Sequence, residues 1–210
     1  MHLRLHTRHQ NSAGERVRIV LNLKGIDYAY VAIESPHSET YRAINPQGLM
    51  PALEIDGQFV AQSIAIVELL EELFPEPSVF PEDPVTRARV RAFANLICAD
   101  LHPLNNQRVR RYLADQVQAT DSAVRDWYAH WIAETFTSLE TEVALHPPTA
   151  RYCFGDRPNF ADACLVPQMA NARRFDCDLS PYPNLIRIDA ACQALDAFAK
   201  ARPDRQPDAP

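Results

Sequence analysis

The chain has 210 residues, and its 27 acidic against 21 basic side chains give a formal net charge of −6. This length suffices for one large domain or two small ones with hydrophobic cores. The acidic balance argues against a nucleic-acid partner, because no broad basic surface is available to neutralise phosphates. The sequence contains no run of about 18 apolar residues, so no membrane span is predicted. Residues 1–10 lack the apolar core of a signal peptide, so we expect a cytoplasmic protein.

The cysteine pattern indicates a reducing compartment. The five cysteines are widely spaced and include no Cys-x-x-Cys pair. Metal sites and disulfide frameworks use closely spaced or paired cysteines, so we expect no metal and no disulfide here. Buried thiols are the expected state.

The first part of the chain mixes strand and helix patterns. In order, the sequence predicts a strand Leu3–Thr7, a helix Arg16–Lys24, a strand Tyr28–Ile33, a connector Glu34–Ile44 with a short helix, and strands Ala52–Ile55 and Phe59–Gln62. Asp56-Gly57 is a hairpin turn between the last two strands. Ser63 is predicted to cap a following helix with its hydroxyl. A βαβ unit followed by ββα is the thioredoxin pattern.

A proline-rich linker, Phe74–Thr86, separates this part from purely helical patterns. The predicted helices are Arg87–Leu113 with a kink at His102-Pro103, Ser122–Leu145 ended by His146-Pro147-Pro148, Asn159–Arg173, and Ile186–Lys200. Asn159 and Asp162 form a capping box, and the helix they open is apolar nearly all round, as a buried central helix is. Pro203–Pro210 is expected to be a loose tail.

The stretch from Gln47 to Ser63 carries the clearest indication of a binding site. A Met50-Pro51 bond at a strand entrance suits a cis peptide, which would turn backbone groups toward an extended peptide. Gln62 and Ser63 lie at a predicted helix N-terminus, where free N–H groups favour a carboxylate. The stretch therefore suits a small peptide-like anion. An ordinary hairpin that leads into a helix explains the same pattern.

The segment NPQGLMPALEIDGQFVAQSIAIVELLEELFP resembles the glutathione-binding half of glutathione transferases, and most closely their zeta class. That class includes the maleylacetoacetate and maleylpyruvate isomerases. The resemblance implies a thioredoxin-like domain at residues 1–76, a linker at 77–86 and an all-α domain at 87–210, assembled as a homodimer with glutathione as cofactor. It also implies that Met50, before Pro51, pairs with the cysteinyl backbone of glutathione, and that Gln62 and Ser63 hold its γ-glutamyl group.

The loop expected to activate the glutathione thiol departs from the zeta pattern. The sequence RVRIVLNLKGIDY matches the family closely, but Asn11, Ala13 and Gly14 replace its first serine, its cysteine and the next small residue. A hydroxyl, an amide N–H₂ group and a helix N-terminus can each stabilise a thiolate. We therefore predict Ser12 as the thiolate donor, with Asn11 as a second donor or substitute. The alternative is that Ser12 only caps the helix.

Two further segments resemble the glutathione and substrate ligands of the isomerases. CADLHPLNNQR is similar to a family segment whose His and second Asn reach glutathione, from the same or the neighbouring subunit, which implies His102 and Asn106. His37 lies where some relatives place another glutathione contact. The plain alternative for His102 is a kink residue before a proline.

Arginines are the expected ligands of the substrate carboxylates. PQMANARRF resembles the family segment whose arginine before Phe binds a carboxylate, which implies Arg174, and Arg108 is a second basic candidate. Some maleylpyruvate isomerases also use an arginine where this chain has Gln10, so that Arg8 or Arg16 would have to substitute. The alternatives are a solvated basic face around Arg108 and a surface salt bridge at Arg174.

The resemblance predicts a glutathione-dependent cis–trans isomerase of a maleyl-type diketo acid, active in the degradation of aromatic compounds. The altered first loop leaves two alternatives open. One is a glutathione transferase or dehalogenase that acts on another electrophile, and the other is a non-catalytic glutathione-binding member of the fold. In the enzymatic cases the partner is a small dicarboxylate or other electrophilic substrate.

Overall fold

A computed structural model describes residues 1–145 and 150–210. Its contacts group the chain into two compact units: the first comprises Met1–Val79 with Gln193–Pro210, and the second Phe80–Cys192. The predicted domain bounds assign residues 193–210 to the helical domain. The contacts instead group these residues with the first unit. The predicted helix end at His146-Pro147-Pro148 lies outside the described residues.

The elements are, in chain order, β1 (Leu3–Thr7), α1 (Ser12–Leu23), β2 (Ala29–Ala32), α2 (Glu39–Ile44), β3 (Ala52–Ile55), β4 (Gln58–Ala61), α3 (Ser63–Leu73), α4 (Pro84–Asn95), a π-helical turn (Leu96–Leu101), α5 (His102–Asn105), α6 (Gln107–Asp115), α7 (Asp121–Ala144), α8 (Phe160–Arg174), α9 (Pro183–Gln193), α10 (Asp196–Ala201) and a 3₁₀ turn (Pro203–Arg205).

The first unit is built on a four-stranded sheet with the order β2-β1-β3-β4. β1 is parallel to β2, and β3 is antiparallel to both of its neighbours. His6 pairs with Ala52, which in turn pairs with Ala61. The end of β1, the start of β3 and the end of β4 therefore meet at one edge of the sheet, which we call the site edge. The predicted thioredoxin-like arrangement is confirmed.

Local turn chemistry explains the hairpin of β3 and β4. Asp56 and Gly57 both have positive φ angles, 47° and 84°, as a tight two-residue hairpin turn requires. The predicted bounds of β3 are confirmed, and β4 begins and ends one residue earlier than predicted. The sheet and α1 and α3 share a core of fully buried apolar side chains, including Leu5, Val17, Val20, Leu21, Leu53, Ile66 and Leu70.

α1 begins at Ser12, four residues before the predicted start at Arg16. Asn11 is the reason, because its side-chain oxygen accepts a hydrogen bond from the Gly14 backbone N–H at 2.5 Å and so caps the helix. A side chain at Gly14 would overlap the Thr7 hydroxyl at the end of β1. Glycine therefore allows the first turn of α1 to pack directly on the site edge.

The prediction that Ser63 caps α3 is wrong. Ser63 is the first helical residue, and Gln62 stands at the cap position with a φ of 69° and no side-chain capping bond. The backbone N–H groups of the first turn of α3 are therefore not bonded to a capping side chain. They remain directed at the site edge.

The second unit is helical throughout its regular structure, with α8 at its centre. Every residue of α8 from Phe160 to Met169 is buried. The predicted capping box is confirmed: Asn159 accepts from the backbone of the first turn, and Asp162 accepts from the Asn159 N–H at 2.8 Å. The surrounding core includes Val90, Phe136, Leu139, Leu165, Met169 and Leu185.

The predicted helix Arg87–Leu113 begins three residues earlier, at Pro84, because Asp83 accepts from the Thr86 N–H at 2.7 Å. The expected interruption near His102-Pro103 is confirmed, and it consists of the π-helical turn followed by α5. A second break follows at Asn106, which caps α6 through a bond from the Arg108 N–H at 3.0 Å.

The C-terminal predictions are corrected by the structure. The helix predicted at Ile186–Lys200 is two helices, α9 and α10. Residues 203–210 are not a loose tail, because Gln206 Nε2 donates to the carbonyls of Lys200 and Arg202, each at 2.8 Å. α10 packs on α1 within the first unit, where Asn22 Nδ2 donates to the Ala197 carbonyl at 2.8 Å.

The five cysteines are free thiols, and Cys153, Cys164 and Cys192 are buried. None of the helices in the described ranges combines the length and apolar composition that a membrane span requires. Within residues 1–145 and 150–210, no group of three or more His, Cys, Asp or Glu side chains is arranged to hold a metal ion.

Candidate active site

Three sequence-predicted pairs lie at the site edge of the first unit. Asn11 and Ser12 open α1 beyond the end of β1, Met50 and Pro51 precede β3, and Gln62-Ser63 joins β4 to α3. The register of the sheet brings these segments together even though they are far apart in sequence. Two helices begin here, so the partial positive charge at their N-termini favours an anion.

The segment before β3 is firmly held. The Met50-Pro51 peptide is cis, as predicted. The carbonyl of Leu49 accepts hydrogen bonds from the Tyr41 hydroxyl at 2.8 Å and from Asn45 Nδ2 at 2.6 Å. Burial raises the pKa of Tyr41 to about 12, so it is a neutral donor at physiological pH. The backbone at Met50 is thus presented by a fixed loop.

The start of α3 is supported by a buried arginine. Arg16 Nη1 donates to the Ser63 hydroxyl oxygen at 3.2 Å, and only 2% of Arg16 is exposed. Gln62 is exposed, and its Nε2 donates to Gln47 Oε1 at 2.8 Å. The role of Arg16 as a substrate-carboxylate ligand stays a prediction; its guanidinium is buried next to Ser63.

The residues expected to activate the thiol have separate tasks. The Asn11 side-chain oxygen caps α1, which leaves its amide N–H₂ as the group that can donate elsewhere. The alternative that Ser12 serves only as the helix cap is therefore wrong. Ser12 is the first residue of α1 and is half-buried, so its hydroxyl lies at the positive end of the helix.

His37 is exposed on the connector between β2 and α2. That connector packs closely on the loop before Met50: a side chain at Gly48 would lie 2.9 Å from the Pro36 carbonyl oxygen and 3.4 Å from His37 Nδ1. Gly48 has a φ of 64°, so glycine is favoured there on both grounds. The structure thus places His37 next to the segment that carries Met50.

In the second unit, the structure brings His102 and Asn106 together at the break between α5 and α6. Asn106 Nδ2 and His102 Nε2 are 3.4 Å apart. Asn105, in contrast, is buried, and its Nδ2 donates to the Tyr128 carbonyl of α7 at 3.1 Å. The first asparagine therefore anchors the segment, and the second stays with His102. Arg108 is exposed.

Arg110, rather than Arg108, joins Arg174 in one cluster. The guanidinium of Arg110 lies 4.5 Å from the centre of the Phe175 ring, and that of Arg174 lies 5.1 Å from the same ring. Tyr128 stacks on Phe175 with ring centres 4.1 Å apart. We call Arg110, Tyr128, Arg174 and Phe175 the cationic cluster. The sequence did not single out Arg110, because its contacts with the rings of Tyr128 and Phe175, further along the chain, distinguish it from its basic neighbours.

The cationic cluster has an excess of positive charge. Burial lowers the pKa of Arg110, and Arg174 and Arg111 lower it further as like charges. Arg174 Nη2 donates to the neutral Asn171 Oδ1 at 2.8 Å, and among the residues that the structure describes no carboxylate pairs with it. The salt bridge at this point belongs to Arg173, which meets Asp189 at 2.6 Å. Arg174 is therefore available for an external anion.

A cleft of about 200 Å³ adjoins the cluster within the second unit. Its lining consists of Arg110, Ala114, Asp121, Val124, Arg125, Tyr128 and Phe175. Burial raises the pKa of Tyr128 to about 12, so its hydroxyl stays protonated at physiological pH. The cleft therefore combines an aromatic wall, two arginines against one aspartate, and a neutral hydroxyl, which suits an anionic small molecule.

Comparison with known proteins agrees with this geometry. Residues 11–78 match the family described as the N-terminal domain of glutathione S-transferases. A maleylpyruvate isomerase from a Ralstonia species is 43% identical over 210 residues, which cover 98% of this chain and 99% of the relative. The chain belongs to the glutathione transferase family. The solved holo structure of a maleyl pyruvate isomerase, a bacterial zeta-class transferase, has a TM-score of 0.95 at 43% identity and covers 99% of this chain and 100% of its own.

A second solved relative of this transferase is the maleylacetoacetate isomerase of Methylobacterium extorquens, whose structure holds malonate and glutathione. It has a TM-score of 0.93 at 37% identity and covers 99% of each chain. These likenesses place the chain in the zeta class, and the predicted fold class is confirmed: an α/β thioredoxin-like part and an all-α part in the glutathione transferase fold.

Proposed function

We propose that this zeta-class transferase is a glutathione-dependent cis–trans isomerase of a maleyl-type diketo acid, maleylpyruvate or maleylacetoacetate. The relatives that support this assignment are isomerases that align along nearly the whole chain. The observation that carries it is the cationic cluster, in which Arg110 and Arg174 flank one aromatic ring and Arg174 has a neutral partner. A diketo acid with two carboxylates matches that excess of positive charge.

The residues at the site edge fit glutathione. The backbone of Met50 would pair with its extended cysteinyl part, while Gln62, Ser63 and the N-terminus of α3 would hold the γ-glutamyl carboxylate. Arg16, bonded to Ser63, keeps that hydroxyl oriented. His37 lies beside the Met50 loop and would contribute a further contact.

The thiol is activated, in this proposal, by groups at the start of α1. The Ser12 hydroxyl donates a hydrogen bond to the sulfur of the thiolate, Asn11 offers its amide N–H₂ as a second donor, and the helix N-terminus adds positive potential. Bound glutathione supplies a thiolate that adds to the activated double bond and leaves after rotation, so it acts as a cofactor. Arg174 and Arg110 bind the carboxylates of the substrate and stabilise the enolate charge that develops on it. His102 and Asn106 are proposed as further glutathione contacts. Arg108 is proposed as a further ligand of the substrate carboxylates.

The proposal is tested with the purified protein, glutathione and either maleyl diketo acid, by following the loss of enol absorbance. We expect turnover that depends on glutathione and does not consume it. No glutathione-dependent change with either substrate would contradict the isomerase assignment. Reactions with chloroaromatic and haloacid electrophiles, with conjugates as products, would then identify a transferase or dehalogenase.

The loss of the family's first serine and its cysteine favours one second candidate, a glutathione-binding protein without catalysis. Titration calorimetry separates it from the isomerase: glutathione binding without turnover of any electrophile would support it, and turnover excludes it. We also propose, from the family, a cytoplasmic homodimer that acts in the degradation of aromatic compounds. Sedimentation velocity tests the dimer.

A further inference from the structure

The C-terminal segment of the chain reaches the loop that precedes α1. Gln206 is held by its bonds to the carbonyls of Lys200 and Arg202. Asp208, two residues further along, contacts His9 in the loop that follows β1. Residues 205–208 are thus a structural part of the first unit.

Asp208 makes three contacts with the sheet and the loop. Its Oδ2 accepts from the His9 backbone N–H at 3.0 Å and lies 3.4 Å from His9 Nδ1. Its Oδ1 accepts from the Tyr30 hydroxyl at 2.6 Å. Burial raises the pKa of Asp208, but the bonds from Tyr30 and His9 outweigh it and hold the pKa below its usual value. The carboxylate is therefore charged at physiological pH, and its bonds are of the strong, charge-assisted kind.

The same loop is held from its other side by Arg18. This arginine is fully buried, and its guanidinium donates to the carbonyls of Arg8 at 3.3 Å and His9 at 3.2 Å. It also donates to the Ala201 carbonyl at the end of α10, at 2.9 and 3.0 Å. Both the N–H and the carbonyl of His9 are therefore fixed by groups that connect to the C-terminal segment.

Only Gln10 and Asn11 separate His9 from Ser12. The Asn11 N–H donates to the His9 carbonyl at 3.1 Å, so a shift of His9 moves the helix cap directly. Stabilisation of a thiolate depends on donors held at a fixed position, and a small displacement weakens it. The position of His9 therefore controls how well Asn11 and Ser12 can donate hydrogen bonds to a thiolate sulfur.

We propose that Asp208 is a positioning residue for thiol activation: it fixes His9, and through His9 the donors Asn11 and Ser12. The expected effect on the glutathione thiol rests on the proposed function, whereas the expected effect on the loop does not. Asp208 does not touch the cofactor or the substrate. Its effect is on the geometry of the loop, and it belongs to a segment that the sequence alone presents as a tail.

The test compares Asp208→Asn with a matched control, Asp204→Asn. Asp204 lies on the same segment, is exposed, and bonds only Arg202, at 3.0 and 3.1 Å, among the described residues. Hydrogen exchange of the glutathione-free protein reports on the loop itself. We expect amide exchange in residues 8–12 to be on the order of tenfold faster in D208N than in the wild type, and unchanged in D204N.

The second readout is the pH midpoint at which enzyme-bound glutathione becomes a thiolate, measured by ultraviolet difference absorbance. We expect D208N to raise it by roughly half a unit or more relative to D204N. Tyr30→Phe, which removes one donor to Asp208 and keeps the charge, should give a smaller shift in the same direction. If D208N does not fold, the exchange rates in residues 8–12 and the pH midpoint of Y30F test the proposal instead.

Unchanged exchange in residues 8–12 would overturn the inference, as would faster exchange without a shift of the midpoint. Failure of the proposed function is distinguishable from both. Failure of the isomerase reaction is seen in the turnover assay, and failure of thiol activation as a wild type without a thiolate band; the exchange experiment, which uses no glutathione, still decides whether Asp208 holds the loop.

Discussion

Replacing Asp162 with alanine tests how the central helix is held in the second unit. Asp162 is fully buried, and its carboxylate accepts the backbone N–H groups of Cys153 at 2.9 Å and Asn159 at 2.8 Å. Alanine leaves both donors without this acceptor in the interior, at about 1–3 kcal/mol each. We therefore expect Asp162→Ala to lower the free energy of unfolding by about 2–6 kcal/mol when the carboxyl is neutral.

The pH dependence of this loss of stability is a stricter test than its size at a single pH. Burial raises the pKa of Asp162 from 3.8 to about 6, so the folded state binds the proton more tightly than the unfolded state does. The resulting stability is fully present below about pH 3.8 and is lost as the pH rises through 6. Between pH 5 and pH 7.5 the wild type loses roughly 1–2 kcal/mol in this way, and D162A loses none.

The assay is urea unfolding of both proteins at pH 5 and pH 7.5, with Asp156→Ala as control. Asp156 is exposed and accepts one long bond, from the Arg151 N–H at 3.4 Å, so its variant should stay within about 0.5 kcal/mol of the wild type. Other titrating groups cancel in the difference between wild type and variant. A destabilisation by D162A that is equal at the two pH values, or larger at pH 7.5, would refute the reasoning. It would mean that the two N–H bonds outweigh burial and keep Asp162 ionised throughout.

Three further predictions concern the sites. Arg174→Met and Arg110→Met should each lower kcat/KM for the diketo acid about 10- to 100-fold at an unchanged Kd for glutathione, whereas the exposed Arg157→Met, measured alongside, should not. Asn11→Asp keeps the oxygen that caps α1 but adds a negative charge. It should therefore preserve the Tm and raise the pKa of the bound thiol by about one unit. A lowered Tm would contradict the assigned cap. Gly14→Ala should cost about 1–3 kcal/mol in urea unfolding because its Cβ meets Thr7, and a stability equal to that of the wild type would show that the first turn of α1 can move away.

Features with local causes could be predicted from the sequence. The strand Ala52–Ile55, the turn at Asp56-Gly57 and the capping box at Asn159 depend on residues within a few positions of one another. The start of α1 depends on a local cap as well, but asparagine followed by Ser, Ala and Gly is equally typical of a loop. The sequence therefore placed the helix too late.

Features that depend on distant partners could not be predicted. Nothing near Arg110 in the sequence distinguishes it from Arg108; the aromatic rings of Tyr128 and Phe175, further along the chain, do so. The burial of Arg16 against Ser63 is equally non-local. The segment after Pro203 is rich in proline and charge, which is typical of a disordered end. Its bonds to Lys200, Arg202, His9 and Tyr30 show that it is ordered.

The first unit is assembled from both ends of the chain, and this has a consequence for its synthesis. A ribosome releases residues 1–79 long before residues 193–210, so α1 leaves the exit tunnel without the α10 that covers it. The helical unit, residues 80–192, is complete in the nascent chain before the sheet unit is. A nascent chain arrested before Asp196 should therefore expose α1 to proteases and chaperones, and α1 should be protected once α10 has left the tunnel.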